Sequence, residues 1–590
     1  MKKFLITLPL AIATAFCALA VDANAQTVSV NGLGSSALFL EAGLGASSLT
    51  TGVINAPCVW TGNNSVAAGN VVSATDTSVP TLTLSDAGNA WVAWTTGGGS
   101  CAAPASGATI YAYLQTDSVV GDRCLFNANL PGGALCKITY PTTNPASAAL
   151  LYPGNDASRT ETALPTSIAN ALNLATVNAA GTDIRPEDAW FATKRALTPC
   201  GTVITTPNST PPPTRVNTQY LGLGYSNGGD IQSFIGGSPF HVIDFTIPTK
   251  SGNSYAVTPV GATPILVVIN GPSSGFGAAS GFSDISSATL AQFLDGRLSL
   301  TNQVNGVSSG NVVNTIVREP LSGTYNTMEY NVPNRTSPAA TFQTSQDVGL
   351  NQPTAQRNCN GTGVGSNPMN IASIGGGARE RAIGTGQALA QVVGGNTHDT
   401  LGYGFWSVAN FKPFSASTAS AAKYLTVDGV DPLITTSANH TGTIPQTGST
   451  DLANVTLANV GTNGSYPIWS LLRFVTVGST TAPTPVTDLA SAAQLFVTFG
   501  TTNARPDFIT TANLKVVRSH FVPPAPDPVV ANVSDGQPTP AFNGNVGAPT
   551  SHCVATEVGG DVGGVVLLLS NESTFCITQP VKTGHTNQRR

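Results

Sequence analysis

The chain has 590 residues, 25 Lys and Arg against 30 Asp and Glu, a formal charge of 25 − 30 = −5, and only 9% charged residues. Such weak acidity over such a length argues against nucleic acid or an anionic membrane as partner. Its many Gly, Ser, Thr and Asn residues describe a loop-rich globular protein with room for roughly two to four domains.

Lys2 and Lys3 precede an apolar run from Phe4 to Ala20, and Ala23-Asn24-Ala25 forms an A-x-A site. This pattern predicts a secretory signal peptide over residues 1–25, cleaved before Gln26, and a periplasmic or secreted product. Phe16 before Cys17 is too large for a lipoprotein cleavage site, so no direct membrane anchor is expected. Removing Lys2, Lys3 and Asp22 leaves 23 − 29 = −6 on the mature chain. No later apolar run is long enough to span a bilayer. Eight cysteines remain, an even number that favours disulfides over zinc in an exported chain, since none sits in a C-x-x-C pair. Near-neighbour pairing would join Cys58 to Cys101, Cys124 to Cys136 and Cys553 to Cys576, one of many possible connectivities.

V-N-G-L-G-S-S-A-L-F reads as a short strand, a Gly-Ser turn and a helix from Ala37, with Ser35 and Ser36 at the helix start. Hydroxyls and backbone N–H groups there could contact an anion, and a plain N-cap explains them equally well. Residues from Thr50 to Gly107 read as short strands and turns. Ile110 to Gln115 is an apolar strand delivering Asp117 and Ser118 to a turn. Asp183 ends a loop before a helix opened by Pro186, with Ala189, Ala192 and Ala196 on one face. Asp183 could accept the proton of a protonated oxyanion, or simply cap or pair with Arg185.

Val312, Val313, Thr315, Ile316 and Val317 form a β-branched run suited to a buried strand, and Pro320 ends it. Ser322 is an N-cap for a helix running toward Pro333. Unpaired N–H groups at Gly323 and Thr324, the helix dipole and the Arg318 guanidinium would together clamp a phosphate-like ion. An ordinary capped helix beside a surface arginine is the plainer account of the same residues.

Taken in order, these pieces resemble the phosphate-specific substrate-binding proteins of ABC transporters, members of the type II periplasmic binding proteins. That family surrounds phosphate with a G-x-G-x-T/S loop, a serine, an aspartate and an R-x-x-x-S-G-T turn. Here Gly32 to Ser36, Ser118, Asp183 and Arg318 to Thr324 correspond. The resemblance implies a two-lobed α/β fold with β-rich insertions and a ligand cleft between the lobes. It implies ligand contacts from Ser35, Ser36, Ser118, Asp183, Arg318, Ser322, Gly323 and Thr324, with inorganic phosphate or a similar oxyanion as ligand. An ABC permease would be the partner, and no cofactor or metal is implied. Lobe I would comprise 26–260 and 410–515, lobe II 261–409, and crossings would fall near 255–262 and 405–412.

Pro259 to Asn270 would be the strand entering lobe II, followed by a helix through Leu290 and Leu294 that stops at Gly296. Gly384 to Gly394 and Leu401 to Trp406 would be the returning helix and strand. Two departures stand out: family members carry an aspartate near the arginine, where this chain has Glu319 and Pro320, and Ala37 replaces a common aromatic. Residues 516–590 would be a Pro-rich linker, Val522 to Val530, and a small add-on.

Two other classes compete. G-Y-S-N-G at Gly224 to Gly228 matches the nucleophile elbow G-x-S-x-G, with Ser226 as nucleophile and His241, or His398 with Asp399, as partners. A match is expected by chance about once per thousand residues in so Gly- and Ser-rich a chain, so a serine hydrolase is the distant alternative. A secreted surface or adhesive protein would use the Thr/Asn/Gly-rich insertions and would need no cleft. The balance of residues favours a non-enzymatic oxyanion-binding protein.

Overall fold

The computed structural model describes residues 26–47, 58–62, 73–76, 89–128, 136–141, 161–184, 186, 189, 192, 203–205, 219–221, 255–272, 274–277, 281–319, 321–332, 346, 370–371, 379–382, 384–394, 398–409, 422–435, 440, 442–445, 450–461, 465–466, 468–479, 481–495, 509–510, 516–518 and 565–567. The expected signal peptide, Ser226, His241, Cys200, Cys359, Cys553, Cys576 and the linker from Val522 lie outside these residues.

The protein is a mixed α/β structure built on one large sheet. In chain order its strands are β1 (Thr27–Ser35), β2 (Cys58–Gly62), β3 (Ala90–Trp94), β4 (Thr109–Thr116), β5 (Ala179–Thr182), β6 (Tyr255–Asn270) and β7 (Asp284–Ile285). β8 (Val313–Arg318), β9 (Asn370–Ile371), β10 (Arg379–Ala382), β11 (Asp399–Phe405), β12 (Lys423–Val427), β13 (Trp469–Val477) and β14 (Ile509–Thr510) follow. The principal helices are α1 (Phe39–Ser47), α2 (Ser118–Ala128), α3 (Thr166–Leu174), α4 (Ser287–Leu294), α5 (Gly323–Asn331), α6 (Thr385–Gly394) and α7 (Thr484–Leu495). The sheet runs β9-β10-β8-β11-β6-β13-β5-β1-β4-β3-β2, with β12 and β14 also paired to β6 and β7 paired to β12.

β6 divides this sheet in two. Tyr255 to Pro264 pair antiparallel with β13, whereas Ile265 to Asn270 pair antiparallel with β11, and Val267 to Ile269 also with β12. Proline lacks a ladder donor and is a poor fit to a central strand. Accordingly Pro259 lies at a register shift against β13, and Pro264 sits where β6 exchanges one set of partners for the other.

On the first side β1, β4 and β5 are parallel, and on the second β8, β10 and β11 are parallel. Gly181 of β5 is level with Phe474 and through it with Thr258 of β6; Ile316 of β8 is level with Gly402 and through it with Val268. The two antiparallel steps through β13 leave β5 running with β6, and the single step through β11 leaves β8 running against it. The carboxyl ends of the two strand sets therefore face each other across the middle of β6, and the sheet is two-lobed.

Loops at strand carboxyl ends are where open α/β sheets bind ligands. Each half carries its own helices. In the first, Trp91, Tyr113, Phe39 and Phe474 are buried, with Tyr113 stacked on Trp91 and edge-on to Phe474. In the second, Phe276, Phe282 and Phe293 pack beside Ile285 and Leu294. Glycine at 296 takes φ +80 just past α4, as a helix stop requires.

Cys58 and Cys101 form a disulfide, as near-neighbour pairing expects. Cys124 is disulfide-bonded as well, and the side chain of its expected partner, Cys136, lies outside the described residues. In the chain's last part Val516–Arg518 pairs antiparallel with Val565–Leu567. No helix among the described residues is long and apolar enough to cross a membrane.

Burial of Asp295, just past α4, raises its carboxyl pKa from the usual 3.8 to about 6, against the opposing pull of Arg297, whose Nε donates to it at 2.8 and 3.0 Å. A carboxyl whose folded pKa is raised binds its proton more tightly when folded, so this stability is present below the unfolded pKa and lost as pH rises through about 6. That rise corresponds to about 3 kcal/mol. Urea unfolding of wild type and Asp295→Asn at a series of pH values should show the wild type losing about that much relative to the variant between about pH 4 and pH 7. A constant difference across the window would mean that Asp295 is not desolvated.

Candidate functional site

Four segments converge between the two facing strand sets. β1 ends at Ser35 and leads into a 3-10 turn, Ser36–Leu38, before α1 begins at Phe39; an α-helix directly from Ala37 is therefore not what forms. The Ser35 hydroxyl accepts from Ala37 N at 3.2 Å, the capping role that its type favours, and its carbonyl accepts from the buried Tyr113 hydroxyl at 2.8 Å.

β4 hands on to Asp117 and Ser118. Ser118 is the first residue of α2 and not part of a turn, because the apolar run Val119, Val120 and Leu125 supplies a buried helical face. β5 delivers Asp183, followed by Pro186, Ala189 and Ala192, which are helical and buried. β8 delivers Arg318 and Glu319, and Ser322 caps α5 by accepting from Tyr325 N at 3.3 Å.

Arg318 is 1% exposed and every branch of its guanidinium has a partner. Nε donates to Glu319 Oε2 at 3.1 Å, and Nη2 donates to both Glu319 Oε1 at 2.8 Å and Asp117 Oδ1 at 2.6 Å. Nη1 turns the other way, donating to Thr385 Oγ1 at 2.6 Å and Thr324 Oγ1 at 3.4 Å. Thr385 opens α6 and also accepts from Ser36 Oγ at 3.3 Å. The hydroxyls of Ser36, Thr385 and Thr324 thus gather on one side of the guanidinium, and the carboxylates on the other.

Electrostatics follow from this geometry. Burial opposes the Arg318 charge, but the carboxylates of Glu319 and Asp117 outweigh it and raise the guanidinium pKa further. Burial works against the Glu319 carboxylate too, yet the Arg318 charge prevails and holds it below its usual range. Asp117 goes the other way: burial, and then the Glu319 charge, push it well up.

Asp183 is buried and accepts a hydrogen bond from the Ser118 hydroxyl, which in turn accepts from Asp183 N at 3.2 Å. Gly323 faces this pair so closely that a Cβ there would lie 1.7 Å from Asp183 Oδ1 and 2.8 Å from Ser118 Oγ. Only glycine lets α5 begin against the carboxylate. The backbone of the arginine is held in turn: Arg318 N donates to the Tyr403 hydroxyl at 3.1 Å, and Tyr403 donates to Gln346 Oε1. Gln346 is held by Glu329, and its carbonyl accepts from Arg379 Nη1 at 2.6 Å.

All eight residues expected at the site are thus brought to one region, in three groupings. Ser36, Arg318 and Thr324 meet around Thr385; Ser118, Asp183 and Gly323 meet beside them; Ser35 and Ser322 serve as caps. Sequence reasoning missed Thr385 and the pairing of Asp117 with Arg318. A Gly-Thr step before a helix was the available signal for the first. For the second there was none, since the two residues are 201 positions apart.

The hydrolase partner Asp399 lies level with Val313, at the opposite end of β8 from Arg318. Its carboxylate accepts from Phe276 N at 2.5 Å and Asn311 Nδ2 at 2.9 Å, so it ties loops together. Among the described residues no group of three or more His, Cys, Asp or Glu could hold a metal ion.

No protein-family model and no curated protein matches the chain. Among solved structures it is similar to a phosphate ABC transporter substrate-binding protein with bound phosphate from Clostridium perfringens, at 13% identity, covering 40% of this chain and 65% of that one with a TM-score of 0.23. It is similar also to a phosphate-binding protein from Stenotrophomonas maltophilia, at 14% identity over 52% and 66% of the two chains with a TM-score of 0.26. A third likeness is to an ancestral soluble variant of the human phosphate-binding protein, at 14% identity over 58% and 79% with a TM-score of 0.27. The first two matches span just under two thirds of those proteins' length.

Proposed function

We propose that the protein is an exported, non-enzymatic binding protein for phosphate or a similar oxyanion, held between the two strand sets. One observation carries this reading: Arg318 Nη1 and the hydroxyls of Ser36, Thr324 and Thr385 converge from β8, the turn after β1, α5 and α6 on a single buried point. An oxyanion entering there takes charge-assisted bonds from the guanidinium, each worth about 1.5–3 kcal/mol. Thr385 Oγ1 accepts from both Arg318 and Ser36, so its own proton is directed to a ligand oxygen. The start of α5 adds the backbone donors of Gly323 and Thr324. Asp183 beside them accepts the proton of a protonated oxyanion, which a fully ionised anion such as sulfate does not carry.

Because every one of these groups is buried, entry requires the halves to part about β6 and the return crossing after β11, a hinge movement. The lobes would be 26–260 with 410–515, and 261–409, with Lys423–Val427 laid against the distal part of β6. Release to an ABC permease, the expected signal peptide and a periplasmic or secreted location belong to the same proposal.

Calorimetric titration of the purified, anion-stripped protein with phosphate, and with sulfate as comparison, tests it. Phosphate should bind and sulfate should not, and Thr385→Val should weaken phosphate by roughly tenfold to a hundredfold, the value of one hydrogen bond to a charged group. Absence of heat with both anions would sink the reading.

A further inference from the structure

Arg318 Nη2 serves two carboxylates at once, Asp117 at 2.6 Å and Glu319 at 2.8 Å, and all three side chains are at least nine-tenths buried. The two accepting oxygens share that one nitrogen, so the two acids stand side by side in the same buried site. Two like charges this close in a buried site oppose each other's ionisation, so one of the two carboxyl groups keeps its proton. Asp183 stands on the third side of Asp117, Asp122 and Arg123 are buried on α2, and Tyr403 lies beyond Arg318. Among the described residues Arg318 is thus the cation paired with both carboxyl groups, with a third acid close by.

We infer that Asp117 and Glu319 hold one proton between them, and that this retained proton leaves Arg318 attractive to an oxyanion, so that ligand affinity is coupled to the protonation of the pair. With the proton in place the guanidinium is balanced by one carboxylate, that of Glu319, whose two oxygens take Nε and Nη2, while Nη1 rests on the Thr385 and Thr324 hydroxyls that an oxyanion would displace. When the Asp117 carboxyl gives its proton to solvent, Arg318 faces two anions and its field at Nη1 is cancelled. The site then favours a low-charge, protonated oxyanion and weakens as pH rises. This coupling rests on the oxyanion reading, while the shared proton itself does not.

The test has two arms so that each part can fail separately. Carbon-13 NMR of the ligand-free protein, labelled at its Asp and Glu carboxyls, should show one carboxyl titrating far above the ordinary aspartate range. That titration should vanish in Asp117→Asn and persist in Asp183→Asn. In Glu319→Gln it should move down toward the usual range, because the Glu319 charge no longer opposes ionisation while Arg318 still favours it. If no carboxyl titrates high, the shared proton is overturned whatever the ligand does.

In the second arm, phosphate affinity is measured against pH for wild type and Asp117→Asn, whose ratio cancels the titration of phosphate itself. The wild type should lose up to about tenfold per pH unit relative to the variant once the pair begins to ionise, the limit for one linked proton. Parallel curves would overturn the coupling. An elevated carboxyl with no phosphate heat at any pH would overturn the oxyanion reading and the coupling together, and leave the shared proton standing.

Discussion

Arg318→Ala is expected to destabilise the protein by about 3–5 kcal/mol and to abolish oxyanion binding. Removing one member of a buried charge pair leaves the other unbalanced, which costs more than the intact pair contributes. Glu319 loses the bidentate contact at 3.1 and 2.8 Å that keeps its carboxylate charged, and Asp117 loses the 2.6 Å contact to Nη2. Thr385 loses its donor at the same time. Denaturant unfolding and phosphate titration on the same preparation separate the two effects. Arg318→Lys should recover part of the stability and little of the binding, because an ammonium cannot serve Glu319 bidentately and reach Thr385 as well. If Arg318→Ala unfolds at the wild-type denaturant concentration, the cluster is not the buried charged unit described here.

Gly34→Ala should be comparably damaging, though it removes no polar group. Gly34 has φ +136, which an L side chain rarely adopts, and a Cβ there would lie 2.0 Å from the backbone oxygen of Gly181. Both obstacles are backbone, so neither can yield as a side-chain tip would. Strain of about 1–3 kcal/mol for the dihedral and a similar cost for overpacking together give roughly 2–6 kcal/mol, enough to unfold a protein of ordinary stability. Gly32→Ala is the milder comparison, since its nearest neighbour is the Tyr113 ring at 3.2 Å, a side chain and not backbone. Equal denaturation midpoints for Gly34→Ala and wild type would show that β1 and β5 are not in such close contact.

These two glycines bear on how much the sequence can tell. G-L-G-S-S reads as an anion loop, yet Gly34 is required by the close approach of β5, and the hydroxyl that turns toward Thr385 beside Arg318 is that of Ser36. Gly323 is the converse case, because its lack of a side chain serves the site directly by admitting the Asp183 carboxylate.

Local chemistry determined much. The β-branched run that becomes β8, the Ser322 cap and the stop at Gly296 form as residue type and spacing predict, and the strand through Pro259 to Asn270, which the resemblance implied, lies within β6. These features rest on sterics and hydrogen bonds within a few residues, which a sequence displays directly. The nature of Ser118 as a helix start was less visible, since a serine after a strand suits a turn or a helix equally.

Tertiary structure alone decided what balances Arg318. The sequence offers Glu319 next to it and Pro320 beyond; the fold brings Asp117 from 201 residues away and Thr385 from 67. Partner choice of that kind depends on strand order and register. Those are set by which apolar faces bury together across the whole chain, and no local pattern encodes them.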